Sequence, residues 1–290
     1  MSIRTLSTFL LLVAACAAQP PAIEPESLTP KEQVLRTLTA AGLKLDLEQR
    51  SVTMPARMGR PADLIEYLLI HRRGKSHESL FITETQPSLL NAALLALDLT
   101  PGTNVTYKEK EPPPSEEEMR AGADWLIITP PKGMPVWFTV KWTDQDAKVH
   151  EVAVDDILMD VTTGEGVEGA DWIYLGGRMA APYRGEAPVY LADLEGNLIS
   201  TCYVEPTNHL VTLRHERARS DQNWWITEAC PPPETEVALT IHAKKPKVVI
   251  DREARIAKDK AAGKVPKGPL KELPVGPASG DSPPPIKRDK

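Results

Sequence analysis

Apolar and polar residues alternate with period two through most of the body of the chain. Successive side chains of a strand point to opposite faces, so this pattern predicts half-buried β-strands. Several come in pairs around a short polar turn. "LKLDL" with "SVTMPA", "DLIEYLLIH" with "SHESLFIT" around "RRGK", "PVWFTVKWT" with "KVHEVAVDDIL" around "DQDA", and "PVYLAD" with "LISTCYV" around "LEGN" each read as a hairpin. "DWLIITP", "DWIYLGG", "WWITEA" and "EVALTIHA" add further strands. Two segments show helical spacing instead. Thr29 to Ala41 has a capping threonine, Pro30 at the first helical position and Val34, Leu35, Leu38 and Ala41 on one side, with Gly42 as its stop. "QPSLLNAALLALDLTPG" opens at Pro87, carries the stripe Leu89, Leu90, Ala93, Leu94, Leu97 and closes at Pro101-Gly102. These elements predict an α+β fold: largely antiparallel sheets of hairpins, one main apolar helix packed on a face, and a disordered C-terminal tail.

The pattern breaks in three places. "MSIRTLSTFLLLVAACAAQPPA" has one early positive charge, an apolar run too short to span a bilayer permanently, and small residues after it. Residues 1–18 therefore read as an export signal, outside the fold. Val13-Ala14-Ala15-Cys16 resembles a bacterial lipobox, which makes Cys16 the candidate for lipid attachment. "KEKEPPPSEEEMRAGA" at 108–123 is an acidic proline loop with one helical turn, since Ser115 and Glu118 have capping-box spacing. From residue 246 the chain is rich in Lys, Pro, Gly and Ala. Asp251 to Ala262 is compatible with a transient charged helix, and the span 246–290 reads as a disordered tail beyond a domain at 28–245.

Charge follows the same division. The chain carries −6, yet residues 246–290 hold 11 Lys/Arg against 6 Asp/Glu. The body is strongly acidic and the tail basic, which argues against nucleic acid as a partner.

The most chemically suggestive stretch is "GKSHESLFIT", with His77 beside Glu78. On a hairpin register that sets His71 opposite Ser76, His77 and Glu78 point to opposite faces, and Glu78 reaches only towards His71. His71, His77 and Glu78 are the binding candidates. Two ligands make no catalytic zinc site, which takes three protein ligands, and no HExxH spacing occurs. There is no G-x-S-x-G elbow and no P-loop, and the flexible "TTGEGVEG" at 162–169 is acidic, the wrong charge for a phosphate. No metal site and no cofactor is expected. Cys202 and Cys230 form a candidate disulfide, worth about 3 to 4 kcal/mol in the chain-entropy model. The six tryptophans lie at or near strands and read mainly as core.

Residues 74–102, "GKSHESLFITETQPSLLNAALLALDLTPG", resemble the core motif of the YdjY domain, with its G-K-x-H-E-S start, Pro-Ser helix opening, A-L-L centre and closing P-G. "PVWFTVKWTDQDAKVHEVAVDDIL" and "DWIYLGGRM" resemble the family's next hairpin and a later tryptophan strand. The resemblance spans about 40 to 210. It implies an exported bacterial domain of unsettled molecular function and singles out His77 and Glu78. Some members carry a four-iron, four-sulfur label. Such a cluster needs four thiolates, and this body has Cys202 and Cys230 alone. The combined expectation is a non-enzymatic, lipid-anchored protein of the periplasm or cell envelope that binds or scaffolds an envelope protein or polymer. The competing expectation is an exported metal-dependent hydrolase centred on His71, His77 and Glu78.

Overall fold

The computed structural model describes residues 28–203 and 209–264. Among them eight strands close on themselves: β1 (Ser51–Met58), β2 (Tyr67–His71), β3 (Ser79–Thr83), β4 (Pro135–Thr143), β5 (Asp171–Tyr174), β6 (Asn197–Ser200), β7 (Val211–Arg214) and β8 (Glu236–His242). Around the barrel the order is β1-β8-β4-β5-β7-β6-β2-β3, and β3 returns to β1 through Arg57↔Ile82 and Met58↔Phe81. The pairs β2/β3 and β6/β7 are parallel and the others antiparallel. The expected α+β fold, largely antiparallel hairpin sheets with one main apolar helix on a face, is therefore overturned: this is a closed, mixed, mostly-β barrel.

Closure follows from where the apolar residues fall. Val52, Met54, Ala56 and Met58 alternate along β1, Val237, Leu239 and Ile241 along β8, and Val136, Phe138, Val140 and Trp142 along β4, all buried. Pairing Met54 with Leu239 and Leu239 with Val140 puts these sets on one inner face. Side chains fill the interior, and Phe138 meets Trp172 edge-on at 5.1 Å between centroids. Each fully buried Leu, Ile or Phe contributes roughly 1.5 to 3 kcal/mol by leaving water. Four of the six tryptophans (Trp142, Trp172, Trp224 and Trp225) are buried, in line with their reading as core.

Local signals hold where they are local. Lys44–Asp46 pairs antiparallel with β1, and Val149–Ala153 with β4, as the patterns predict. Helix α1 (Pro30–Ala40) starts at a complete Thr29/Glu32 capping box, and the turn Glu116–Arg120 at a Ser115/Glu118 box. Helix α2 (Pro87–Ala96) buries Leu90, Ala93 and Leu94 in the same core as the barrel, and Arg50 donates to the carbonyl of Leu97 at its end, 2.7 Å away.

Two expected hairpins do not form. "PVYLAD" becomes a two-residue strand, Val189–Tyr190, and a helical turn, Leu191–Glu195, so Asn197–Ser200 pairs with β2 and β7 instead. β2 and β3 run parallel, with His71 opposite Thr83 rather than Ser76.

The expected tail is also revised. Residues 247–261 form helix α3 (Lys247–Ala261), and it is docked. Val249 and Arg252 are buried; Arg252 Nε donates to Asp156 Oδ1 at 2.8 Å, and its Nη2 to the carbonyls of Asp155 and Val167 at 2.9 and 2.6 Å. An apolar stripe that looked too thin to bury is completed by a buried guanidinium. Cys16 and residues 265–290 lie outside the described residues.

Candidate functional site

The "GKSHES" stretch forms the link between parallel strands β2 and β3. A parallel pair cannot be closed by a hairpin, so the turn at "RRGK" does not lead straight into β3. It leaves β2 at His71, closes a turn in which Gly74 N–H donates to the His71 carbonyl at 2.7 Å, and enters a single 3-10 turn at Ser76–Glu78 before β3. The link is pinned on both sides. The Ser79 hydroxyl donates to the Lys75 carbonyl at 2.5 Å, Ala62 N–H to the His77 carbonyl at 2.9 Å, and Glu66 N–H to the Glu78 carbonyl at 2.9 Å.

This backbone gathers a polar cluster. Lys75 Nζ lies 2.9 Å from Glu66 Oε2 and 3.3 Å from Glu78 Oε2, and 5.6 Å from the centre of the Tyr67 ring. His77 Nε2 stands 3.1 Å from Glu78 Oε1. Behind them His209 meets Tyr67 edge-on at 5.3 Å, and its buried Nδ1 has no hydrogen-bond partner among the described residues. The expectation that His77 and Glu78 face apart is thus corrected. A 3-10 turn advances about 120° per residue rather than the 180° of a strand, so neighbours remain within reach of each other.

The electrostatics suit a charged, fixed rim. Burial pushes the Glu78 carboxyl up, but the hydrogen bond with Glu66 and the charges of Lys75 and His77 outweigh it and leave it below the usual range. Burial likewise opposes the Lys75 charge, yet its bond to Glu66 and the fields of Tyr67, Glu66 and Glu78 hold it above an ordinary lysine. Burial, reinforced by the Glu66 charge, raises the Tyr67 phenol. Burial first and Lys75 second push His209 down to about 3.

Of the sequence candidates, His77 and Glu78 come together and His71 does not join them. His71 is 2 % exposed and turns its Nδ1 to the backbone and side-chain N–H groups of Arg73, both at 3.3 Å. Burial, then the charge of Arg73, lowers its pKa. Among the described residues no group of three or more His, Cys, Asp or Glu side chains is placed to hold a metal ion. Cys202 and Cys230 are not bridged: Cys202 sits beside Ser200, with Oγ and Sγ 3.7 Å apart, while Cys230 Sγ lies 3.5 Å from Met58 Sδ.

Sequence reasoning missed Glu66, Lys75 and His209. Lys75 had a signal, being two residues from His77. Glu66 belongs to the segment before β2, and His209 arrives from the far side of the chain, so neither has a local pattern.

Searches of curated proteins and of solved structures find no match to this chain. The family model described as the YdjY domain matches residues 43–242. That span runs from the residue before Lys44–Asp46 to the last residue of β8, so it contains the whole barrel and its charged link. On that match the chain belongs to the YdjY domain family.

Proposed function

We propose that this is an exported cell-envelope protein, lipid-anchored through Cys16, whose barrel binds an envelope protein or polymer at the Lys75–Glu78 rim. The observation that carries the binding reading is the fixing of Lys75 between Glu66 and Glu78, with His77 on the same carboxylate. A set of charged side chains held by one another and by a rigid strand link is preorganised for recognition, so little ordering entropy is lost when a partner docks. His77, with 57 % of its side chain exposed, is the outermost member of the set. Export and anchoring rest on the sequence pattern of residues 1–18. The reading assigns the domain no cofactor and no nucleic-acid partner.

A photo-crosslinking residue at position 77 tests it in cells, with one at exposed Tyr183 as reference. A discrete adduct from position 77 alone supports the rim as the binding face; no adduct, or the same adducts from both, overturns it. Metabolic labelling with a fatty-acid analogue tests the anchor separately: incorporation lost in Cys16→Ser supports it, and an unlabelled wild type refutes it.

One observation favours the second reading, an exported metal-dependent hydrolase using His77 and Glu78. Their 3.1 Å contact is the geometry by which a carboxylate orients a histidine base. It lacks His71, which the structure places elsewhere. Hydrolysis of model esters or amides, abolished in both His77→Ala and Glu78→Gln, would establish this reading over binding.

A further inference from the structure

Helix α3 does more than close the domain. One cavity lies at the seam where it meets the barrel, and a second adjoins it beside Lys260, against residues 160–168 and 215–224. The first, of about 480 Å³, is lined on its apolar side by Val136, Trp137, Trp172, Val249 and Ile256. The other, of about 440 Å³, has Thr162, Thr163, His215, Arg217 and Trp224 in its walls. Both are within the size of small-molecule sites. They share Val167, Glu168 and Lys260, and Glu168 and Lys260 form an ion pair at that partition.

The charge of this seam selects the ligand. Among the described residues, seven carboxyl side chains line the two cavities against three cations, Arg217, Arg252 and Lys260. All three are already committed: Arg217 to Asp160 at 2.8 Å, Arg252 to Asp156 and two carbonyls, and Lys260 to Glu168. With the groups just outside the lining that bear on it added (Asp156 with Arg255, Arg214 on Asp171, Lys245 on Glu253), eight carboxyls face six cations, an excess of negative charge even though burial holds the Asp155 carboxyl above its usual range. A phosphate or carboxylate would enter against that field; an ammonium would be drawn in. Trp137 already accepts a cation on its face, since Lys245 Nζ lies 5.8 Å from its ring centre.

We propose that the seam is a binding site for an amphiphile with a cationic amine head. Its apolar body occupies the chamber between Trp137, Trp172 and Ile256. Its ammonium takes the place of Lys260 on Glu168 and turns towards the hydroxyls and carboxylates of the adjoining chamber. Lys260 is mostly exposed, so it swings into water when displaced. The site is separate from the Lys75–Glu78 rim and does not depend on the function proposed for it.

Decylamine and decanoate, used below their micellar concentrations, isolate the charge because the tails match. Calorimetric titration of the chain should show decylamine binding at one site and decanoate at least about ten-fold more weakly. Glu168→Gln should weaken amine binding, Lys260→Ala should strengthen it by removing the resident cation, and Ile256→Trp should abolish it by filling the apolar chamber. Thermal melts accompany each variant. If Ile256→Trp does not fold, the opposed effects of Glu168→Gln and Lys260→Ala, both on partly exposed side chains, decide the matter. Equal binding of the two probes, or amine binding that neither the Glu168 nor the Lys260 variant changes, would overturn the proposal.

Discussion

Asn197 leaves Gly74 no room for a methyl group: a Cβ on Gly74 would stand 2.7 Å from Asn197 Oδ1 and 2.8 Å from the carbonyl oxygen of Gly196. That contact seats the charged link of the rim on the start of β6. The second clash is with backbone, which cannot rotate away. Gly74→Ala is expected to cost about 1 to 3 kcal/mol, the range for overpacking a tight site. A melting temperature equal to wild type would show that the link has slack.

Arg252 ties α3 to the body, and only 8 % of it is exposed. Truncating it leaves Asp156 short of one partner and two carbonyls without their donor. Arg252→Ala is expected to lose about 1 to 3 kcal/mol of local stability, the usual penalty for leaving buried acceptors without a donor. Hydrogen exchange should rise across 247–261 while the barrel strands keep their protection. Uniform loss of protection would mean that the helix and barrel unfold as one unit.

His209 makes stability depend on pH. The unfolded histidine takes up a proton as pH falls through its ordinary value near 6.5, whereas the folded one resists until about 3. The unfolded state therefore binds more protons across that window. Its contribution is fully present above pH 6.5 and is lost on acidification, with a slope approaching about 1.4 kcal/mol per pH unit. Denaturant titrations at pH 7.5, 6 and 5 should show a steeper loss for wild type than for His209→Phe. Parallel losses would place the histidine in contact with water.

Glu78 adds to the acid limb lower down. Its folded pKa lies below the ordinary 4.5, so its stabilisation is present above that value and disappears as pH drops through the folded pKa. Glu78→Gln should flatten stability below pH 4.5 relative to wild type, and an unchanged acid limb would show that its partners contribute nothing net.

His77 is the exposed member of the rim, so His77→Ala should change stability by no more than about 0.5 kcal/mol. Plasma mass spectrometry of the purified protein should find no stoichiometric zinc or iron in either form. Near-stoichiometric metal that vanishes in the variant would displace the binding reading in favour of the hydrolase.

How legible the molecule was depends on the distance over which each feature is decided. The capping boxes at Thr29 and Ser115 span three residues each, and both are found where the sequence puts them. The 44–46 and 149–153 ladders are neighbours in sequence, and their patterns sufficed. The barrel was not legible, because its closure depends on two parallel pairs that alternation cannot tell from antiparallel ones. One of those errors passed directly into the site. Extending β3 back through Ser76 set His77 and Glu78 on opposite faces, whereas a 3-10 turn holds them together. The docking of α3 was missed because its burial is achieved by Arg252, a residue whose charge counts against burial until Asp156 is in view.

The longest ladder of the barrel joins its first strand to its last, from Glu236 opposite Arg57 to His242 opposite Ser51. On the ribosome, β1 and β4 are made long before β8, which must lie between them. Contacts so far apart in sequence make for slow folding, since a long loop must close before they form. Until then both strands keep an open edge, the surface on which β-chains associate with one another. Any chain stopped or nicked before Glu236 is therefore not a smaller barrel but an unsatisfied one, and β8 serves as its lock against aggregation.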